Sequence, residues 1–85
     1  MSTMKTKQQL PKWFNGELYK KGGTVRNRFS GEEYELNAME LSMYDFVMGS
    51  TIMCEMGMRD VVPNLRRGLD WFRQYNAKAY MVLLD

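Results

Sequence analysis

Residues 13–36 alternate apolar and polar positions with a period of two. This period, interrupted by turns that contain glycine, is typical of antiparallel strands. Ser30-Gly31 has the spacing of a two-residue hairpin turn between strands 24–29 and 32–36, and residues 20–23 supply the turn before it. The pattern predicts a three-stranded antiparallel meander.

The predicted hairpin register places Arg28 opposite Glu33 and Arg26 opposite Glu35. A slip by one residue would move every side chain to the other face, so we expect matched faces to specify the register. The charged pairs share one face of the meander. The other face collects apolar side chains, namely Phe14, Leu18, Val25, Phe29, Tyr34 and Leu36.

The period changes to that of a helix at Asn37. Asn37 and Glu40 have the spacing of a helix N-cap and its reciprocal partner, which predicts a helix from Ala38 to Met56 that ends near Gly57. Its apolar residues form two stripes on different sides, and a helix of this kind is buried on more than one side. The first stripe is Met39, Met43, Phe46, Val47, Met53 and Cys54. The second is Leu41, Tyr44, Met48 and Ile52.

A second, amphipathic helix is predicted from Pro63 or Asn64 to about Tyr75. Asn76 either ends this helix in a left-handed conformation or caps another short helix. Residues 79–84 favour a short terminal helix or turn, with a fourth strand as the alternative. The resulting fold class is α+β, with a three-stranded antiparallel meander followed by two main α-helices packed on one face.

The domain organisation follows from length and polarity. Residues 1–11 are polar and rich in Lys and Gln, and we expect a disordered tail there. Residues 12–85 then form a single α+β domain, which is small enough for its stability to need support. Cys54 is the single cysteine and histidine is absent. An intrachain disulfide and a closed zinc site are therefore excluded, which leaves self-association or a partner as the expected support.

The composition favours a non-enzymatic protein without a cofactor. Histidine, the commonest general acid or base, is absent. Cys54 lies among apolar residues of a predicted buried helix, which is typical of a core cysteine rather than a nucleophile. Six of the nine methionines fall within residues 39–58. They could suggest a Cu(I) site, but we interpret them as core filling or an adaptable contact surface.

The expected compartment is the cytoplasm. A single cysteine is typical of reducing compartments. The first ten residues lack the apolar core of a signal peptide, and the apolar stretch 46–54 is much shorter than the ~20 residues of a membrane span. We therefore expect no membrane association.

The net charge of +2 is unevenly distributed, since residues 1–31 carry seven basic residues against one acid. Such asymmetry can indicate a nucleic-acid partner. The residues that remain for this role are Lys12, Lys20 and Lys21, because Arg26 and Arg28 are matched by glutamates in the predicted register. Nucleic-acid binding is therefore the alternative function, and charge reversal at Lys20 and Lys21 should weaken it.

Three stretches carry a resemblance to a known group of proteins. They are NRFSGEEYELN (27–37), ELSMYDFVMG (40–49) and GLDWFRQYNAKAYMVLLD (68–85). Together with the first predicted strand they resemble small uncharacterised proteins of tailed phages, especially T4-like phages of marine bacteria. The resemblance implies a viral protein in an infected bacterial cytoplasm, and it implies no activity.

The leading hypothesis is a protein-interaction module. A small sheet and one short helix should not cover both stripes of the long helix, so the second stripe is expected to contact another copy of the chain, with a host or phage protein as the further candidate partner. Trp71 lies to one side of the apolar stripe of its helix, either at the edge of the core or as an exposed anchor. The candidate interface is Leu41, Tyr44, Met48, Ile52 and Trp71.

Overall fold

The computed structural model describes residues 8–14 and 16–84, and this part of the chain contains two strands and three α-helices. Arg59–Val61 forms a 3₁₀ turn before the second helix, and Tyr80–Leu84 is a π-helical segment after the third. The five main elements are β1 (Gly23–Arg26), β2 (Glu33–Leu36), α1 (Ala38–Glu55), α2 (Val62–Tyr75) and α3 (Ala77–Ala79). The α+β class is confirmed, but the predicted meander of three strands with two main helices is wrong.

The predicted first strand is replaced by irregular chain. Within the described residues the sheet contains only β1 and β2. Trp13 and Phe14 both pack on the ring of Phe46, with ring centroids 5.7 and 5.3 Å away. Successive residues of a strand point to opposite faces, so a strand could not bring both side chains to one ring. Leu18, which the meander would have covered, is 68% exposed.

The hairpin register differs from the predicted one by two residues. Arg26 lies opposite Glu33, and their side chains form an ion pair with a nitrogen–oxygen distance of 2.7 Å. The predicted pairs Arg28–Glu33 and Arg26–Glu35 are therefore wrong. An even shift keeps every side chain on its face, which explains why alternation alone could not detect the error.

Asn27 causes the shift, because it closes a longer loop than the predicted two-residue turn. Its side-chain oxygen accepts hydrogen bonds from the backbone N–H groups of Phe29 (2.8 Å) and Ser30 (3.2 Å), and its carbonyl accepts one from Gly31 (2.8 Å). Gly31 has a φ of +81°, a conformation that favours glycine. Phe29, predicted to lie on the apolar face, is instead 88% exposed on this loop.

The predicted start of α1 is confirmed, and the helix ends at Glu55, one residue before the predicted Met56. The Asn37 side chain accepts from the Glu40 N–H at 2.7 Å, and the Glu40 carboxylate accepts from the Asn37 N–H at 3.0 Å, which completes a capping box. At the other end Gly57 has a φ of +93°, and the N–H of Met58 donates to the carbonyl of Met53 at 3.0 Å. This is the Schellman arrangement that ends many helices at a glycine.

The second helix and the C-terminal segment are also helical as expected. α2 begins at Val62, one residue before the predicted Pro63, and it ends at Tyr75. Asn76 has a φ of −155°, so the left-handed ending is wrong. Its side chain accepts from the N–H of Ala79 at 3.1 Å and caps α3, which was the other alternative. Residues 79–84 are helical rather than a fourth strand.

The N-terminal segment that was assigned to a disordered tail is partly packed. The indole N–H of Trp71 donates to the carbonyl of Gln9 at 3.0 Å, and Leu10 packs against the core. Residues 9 and 10 of the predicted tail thus contact the folded domain, while residues 1–7 lie outside the described residues. Trp71 is only 5% exposed, so it lies at the edge of the core and is not an exposed anchor.

α2 crosses α1 at a glycine, and the core lies around this crossing. A Cβ atom on Gly68 would overlap Cγ2 of Val47, and Val47 itself is fully buried. Close approach of the two helices therefore requires glycine at this position. The buried core residues are Leu36, Met43, Val47, Trp71, Phe72, Ala79 and Leu83.

A buried carboxylate joins four parts of the fold. Glu40 is 5% exposed, and besides the N–H of Asn37 its carboxylate accepts from the side-chain amides of Gln8 (2.7 Å) and Asn76 (2.9 Å). The hydroxyl of Tyr34 in β2 donates to Asn76 at 3.3 Å. A buried charge persists only when hydrogen bonds replace water, and this network supplies them.

None of the helices in the described ranges has both the length and the apolar character that a bilayer crossing demands.

Glu40→Ala should lower the free energy of unfolding by about 3 kcal/mol, because it leaves buried donors without an acceptor and removes half of the capping box. Urea denaturation followed by circular dichroism measures this change. Glu35→Ala is the control, since Glu35 is exposed on β2. Equal effects of the two substitutions would contradict the role of the network.

Gly68→Ala should destabilise the protein by about 1–3 kcal/mol, because overlap with the stiff, β-branched Val47 exceeds the gain in helix propensity. Gly49 is the matched control within α1, where an added Cβ meets nothing within 4 Å. Gly49→Ala should raise stability by about 0.5–1 kcal/mol through helix propensity alone. Thermal unfolding of the two variants tests whether their stability changes have opposite signs. Changes of the same sign would contradict the close approach of α1 and α2 at Gly68.

Candidate functional site

Exposed apolar side chains gather at the C-terminal end of α1. Ile52 and Met53 are 50% and 42% exposed, and Met56 and Met58 are 72% and 46% exposed. Met56 follows Met53 by three residues and Ile52 by four, so the three side chains share one side of the helix end. The glycine-terminated turn places Met58 directly after them. We name these four residues, Ile52, Met53, Met56 and Met58, the Met ridge.

The candidate interface predicted from the second stripe is divided by the fold. Leu41 is half-buried beneath β1, where a Cβ on Gly23 would lie 3.7 Å from its Cδ2 atom. Tyr44 and Met48 are also half-buried, and Ile52 alone of the four stripe residues is exposed. The hairpin therefore covers the N-terminal half of the stripe and leaves its C-terminal end open.

The pattern misassigned part of the ridge. Met53 was placed in the first stripe, whereas Met56 and Met58 belonged to neither stripe and were counted only among the methionines of residues 39–58. The physical reason is length, since the observed strands of four residues cannot extend along an 18-residue helix.

A second feature is a cleft of about 230 Å³ between the hairpin loop and the helices, which we name the hairpin cleft. Its walls come from the hairpin, α1, α2 and the π-helical segment. The lining residues are Arg26, Asn27, Arg28, Phe29, Tyr44, Val47, Met48, Thr51, Leu65, Leu69, Leu83 and Leu84.

Two hydrogen-bond donors of this cleft are without partners in the described part of the chain. Arg28 forms no ion pair there, and its guanidinium lies 5.2 Å from the centre of the exposed Phe29 ring. The hydroxyl of Tyr44 likewise makes no hydrogen bond to a described residue. Burial raises the pKa of the Tyr44 phenol above its ordinary value of 10.0, and the positive charge of Arg28 partly opposes this rise.

Sequence reasoning did not identify Arg28 and Phe29 as site residues, because the predicted register paired Arg28 with a glutamate and turned Phe29 inward. The Asn-x-x-x-Gly spacing of Asn27 and Gly31 was the signal for the longer loop, since Asn side chains often bond to the backbone of the following turn.

The candidate nucleic-acid residues are exposed but dispersed. Lys20 and Lys21 precede β1, whereas Arg28 lies beyond its far end, and Lys12 lies in a turn beside Trp13. No observed contact joins the three lysines into one patch within residues 8–14 and 16–84.

Cys54 is half-buried in α1 and is a free thiol. Among the described residues, no group of three His, Cys, Asp or Glu side chains is placed to hold a metal ion.

Comparison of the chain with protein-family models, curated proteins and solved structures gives no match. The Met ridge and the hairpin cleft are the two surface features that bear on function.

The Tyr44 phenol should ionise above pH 10, because burial favours its neutral form. A raised pKa in the folded state means that this group's contribution to stability is complete below about pH 10 and is lost as the pH rises through the folded-state pKa. The absorbance difference at 295 nm between wild type and Tyr44→Phe isolates this group from the other tyrosines. Arg28→Gln should raise the transition further, and a transition at or below pH 10 would contradict the assignment.

Proposed function

We propose that this chain is a non-enzymatic protein-interaction module that self-associates through the Met ridge. The observation that carries the proposal is the exposure of Ile52, Met53, Met56 and Met58 at one end of α1. Contiguous apolar side chains on a small domain typically mark an interaction surface. Methionine suits such a surface because its flexible thioether adapts to different packing partners.

A second copy is the proposed partner because residues of both charge signs adjoin the ridge in the sequence. Glu55, Arg59 and Asp60 are exposed beside it. A two-fold axis through the ridge would allow Arg59 of one copy to face Glu55 or Asp60 of the other, as a self-complementary interface requires. Burial in a dimer also gives a domain of 85 residues the additional apolar contact that its small core lacks.

The expected dimer is of modest strength. A stable interface covers about 800 Å² on each partner, and the chain exposes 6015 Å² in total. Four side chains cannot supply that area alone, so the ridge would be the centre of a contact that extends over neighbouring surface. We therefore expect dissociation in the micromolar range.

Light scattering coupled to size exclusion should show a monomer–dimer equilibrium at micromolar concentration. The double substitution Met53→Gln and Met56→Gln should shift it to monomer, because glutamine keeps the length and helix propensity of methionine but removes its apolar end. We expect at least a tenfold weaker association.

Met81→Gln is the matched control, since Met81 is 68% exposed but lies outside the ridge. It should leave the association unchanged. A wild-type monomer at millimolar concentration, or equal loss in the control, would contradict self-association through the ridge.

Nucleic-acid binding is the second candidate, and the exposed pair Arg28 and Phe29 favours it. An aromatic ring beside a guanidinium can stack on bases and contact phosphate. The predicted register matched Arg28 with Glu33 and placed Phe29 on the apolar face, which spoke against nucleic-acid binding. In the structure both residues are exposed, so this objection no longer applies. The candidate remains second because Lys12, Lys20 and Lys21 do not form a continuous basic groove with the pair.

The resemblance to tailed-phage proteins suggests a setting for this function. We propose that the protein acts in the cytoplasm of an infected bacterium, where a host or phage protein would be its additional partner. This proposal rests on the three sequence stretches given above.

A further inference from the structure

The hairpin cleft has the size of a pocket for one bulky side chain. Its volume is about 230 Å³. An apolar cavity of about 150 Å³ can hold benzene, whereas pockets for drug-sized ligands and cofactors usually begin near 300 Å³. The cleft therefore suits the single anchoring side chain of a peptide better than a whole cofactor.

The walls select an apolar occupant. Met48, Leu65, Leu69 and Leu83 line the cleft with aliphatic side chains. Two of its polar side chains are already engaged: the Thr51 hydroxyl donates to the carbonyl of Val47 at 2.9 Å, and the amide of Asn27 donates to the carbonyl of Val82 at 2.9 Å. These groups are not available to read the polar edge of a nucleobase.

The rim of the hairpin cleft favours a ligand that carries a negative charge next to its apolar group. The guanidinium of Arg28 has no carboxylate partner among the described residues and can bind a carboxylate through two hydrogen bonds. The Tyr44 hydroxyl is a further unpartnered donor in the same cleft. None of the described residues that line the cleft is acidic, so the carboxylate must come from the ligand.

We propose that the hairpin cleft binds an acidic peptide segment of a partner protein, with one bulky apolar side chain in the cleft and an adjacent carboxylate on Arg28 and the Tyr44 hydroxyl. A second copy of this chain fits less well, because reciprocal docking would bring its own Arg26 and Arg28 against those of the first. The site is separate from the Met ridge, since no ridge residue lines the cleft, and it does not depend on self-association.

The test is a titration of isotope-labelled full-length protein followed by backbone amide chemical shifts. The probe is a blocked pentapeptide with one phenylalanine between two pairs of acidic residues. We expect saturable shifts at Met48, Leu69 and Leu83. Two control peptides, one with alanine for the phenylalanine and one with amides for the acids, should each bind about tenfold more weakly, because each lacks one of the two recognition elements.

Protein variants separate this site from the remaining surface. Arg28→Glu should weaken peptide binding by at least tenfold, whereas the exposed Arg66→Glu on α2 should change it less than twofold. The variant with Met53→Gln and Met56→Gln should bind the peptide like wild type. Loss of self-association and loss of peptide binding can therefore be told apart.

Several results would overturn the proposal. Absence of cleft shifts with the acidic peptide at millimolar concentration would do so, as would equal binding of the neutral peptide. Decanoate that shifts the cleft residues more strongly than the peptide would indicate a free amphiphile as the ligand. Salt-dependent binding of oligothymidine through Phe29, without peptide binding, would indicate nucleic acid instead.

Discussion

The arrangement of this fold depends on the need to satisfy one buried carboxylate. Glu40 reaches the N-terminal segment through Gln8, the start of α1 through Asn37, and the α2–α3 junction through Asn76. These contacts join positions that are 32 and 36 residues apart in the sequence. A buried carboxylate raises the free energy of the folded state unless each hydrogen-bond donor is in place. The three segments that supply the donors to Glu40 are therefore strongly favoured to pack together.

This constraint also explains the uneven cover of α1. The carboxylate network, β2 and the packed N-terminal segment all meet the first half of the helix, where Met43 is fully buried, and Val47 is fully buried just beyond its midpoint. The hairpin has strands of only four residues and does not reach the last turns. The exposed methionines are therefore a consequence of where a small domain concentrates its contacts.

Local signals predicted the helices well, because capping and helical periodicity act over a few residues. Asn37 and Glu40 defined the start of α1, and Gly57 defined its end. The hairpin register could not be predicted, since a two-residue shift keeps the same faces and Asn27 decides the loop length through bonds to its own backbone. The absent first strand and the burial of Trp71 depend on long-range contacts, with Phe46 and Gln9 respectively, that no local pattern reports. For the site, the second stripe correctly suggested Ile52 as exposed, whereas Arg28 depended on the register that was missed.

The two-way bonding of Asn27 has a consequence for recognition. One end of its amide shapes the loop that carries Arg28 and Phe29, and the other end fastens this loop to the carbonyl of Val82. These bonds hold the loop in one conformation, so a ligand that bound there would lose less conformational entropy than one that had to order a mobile loop. Even a small contact area on this loop would therefore suffice for measurable affinity.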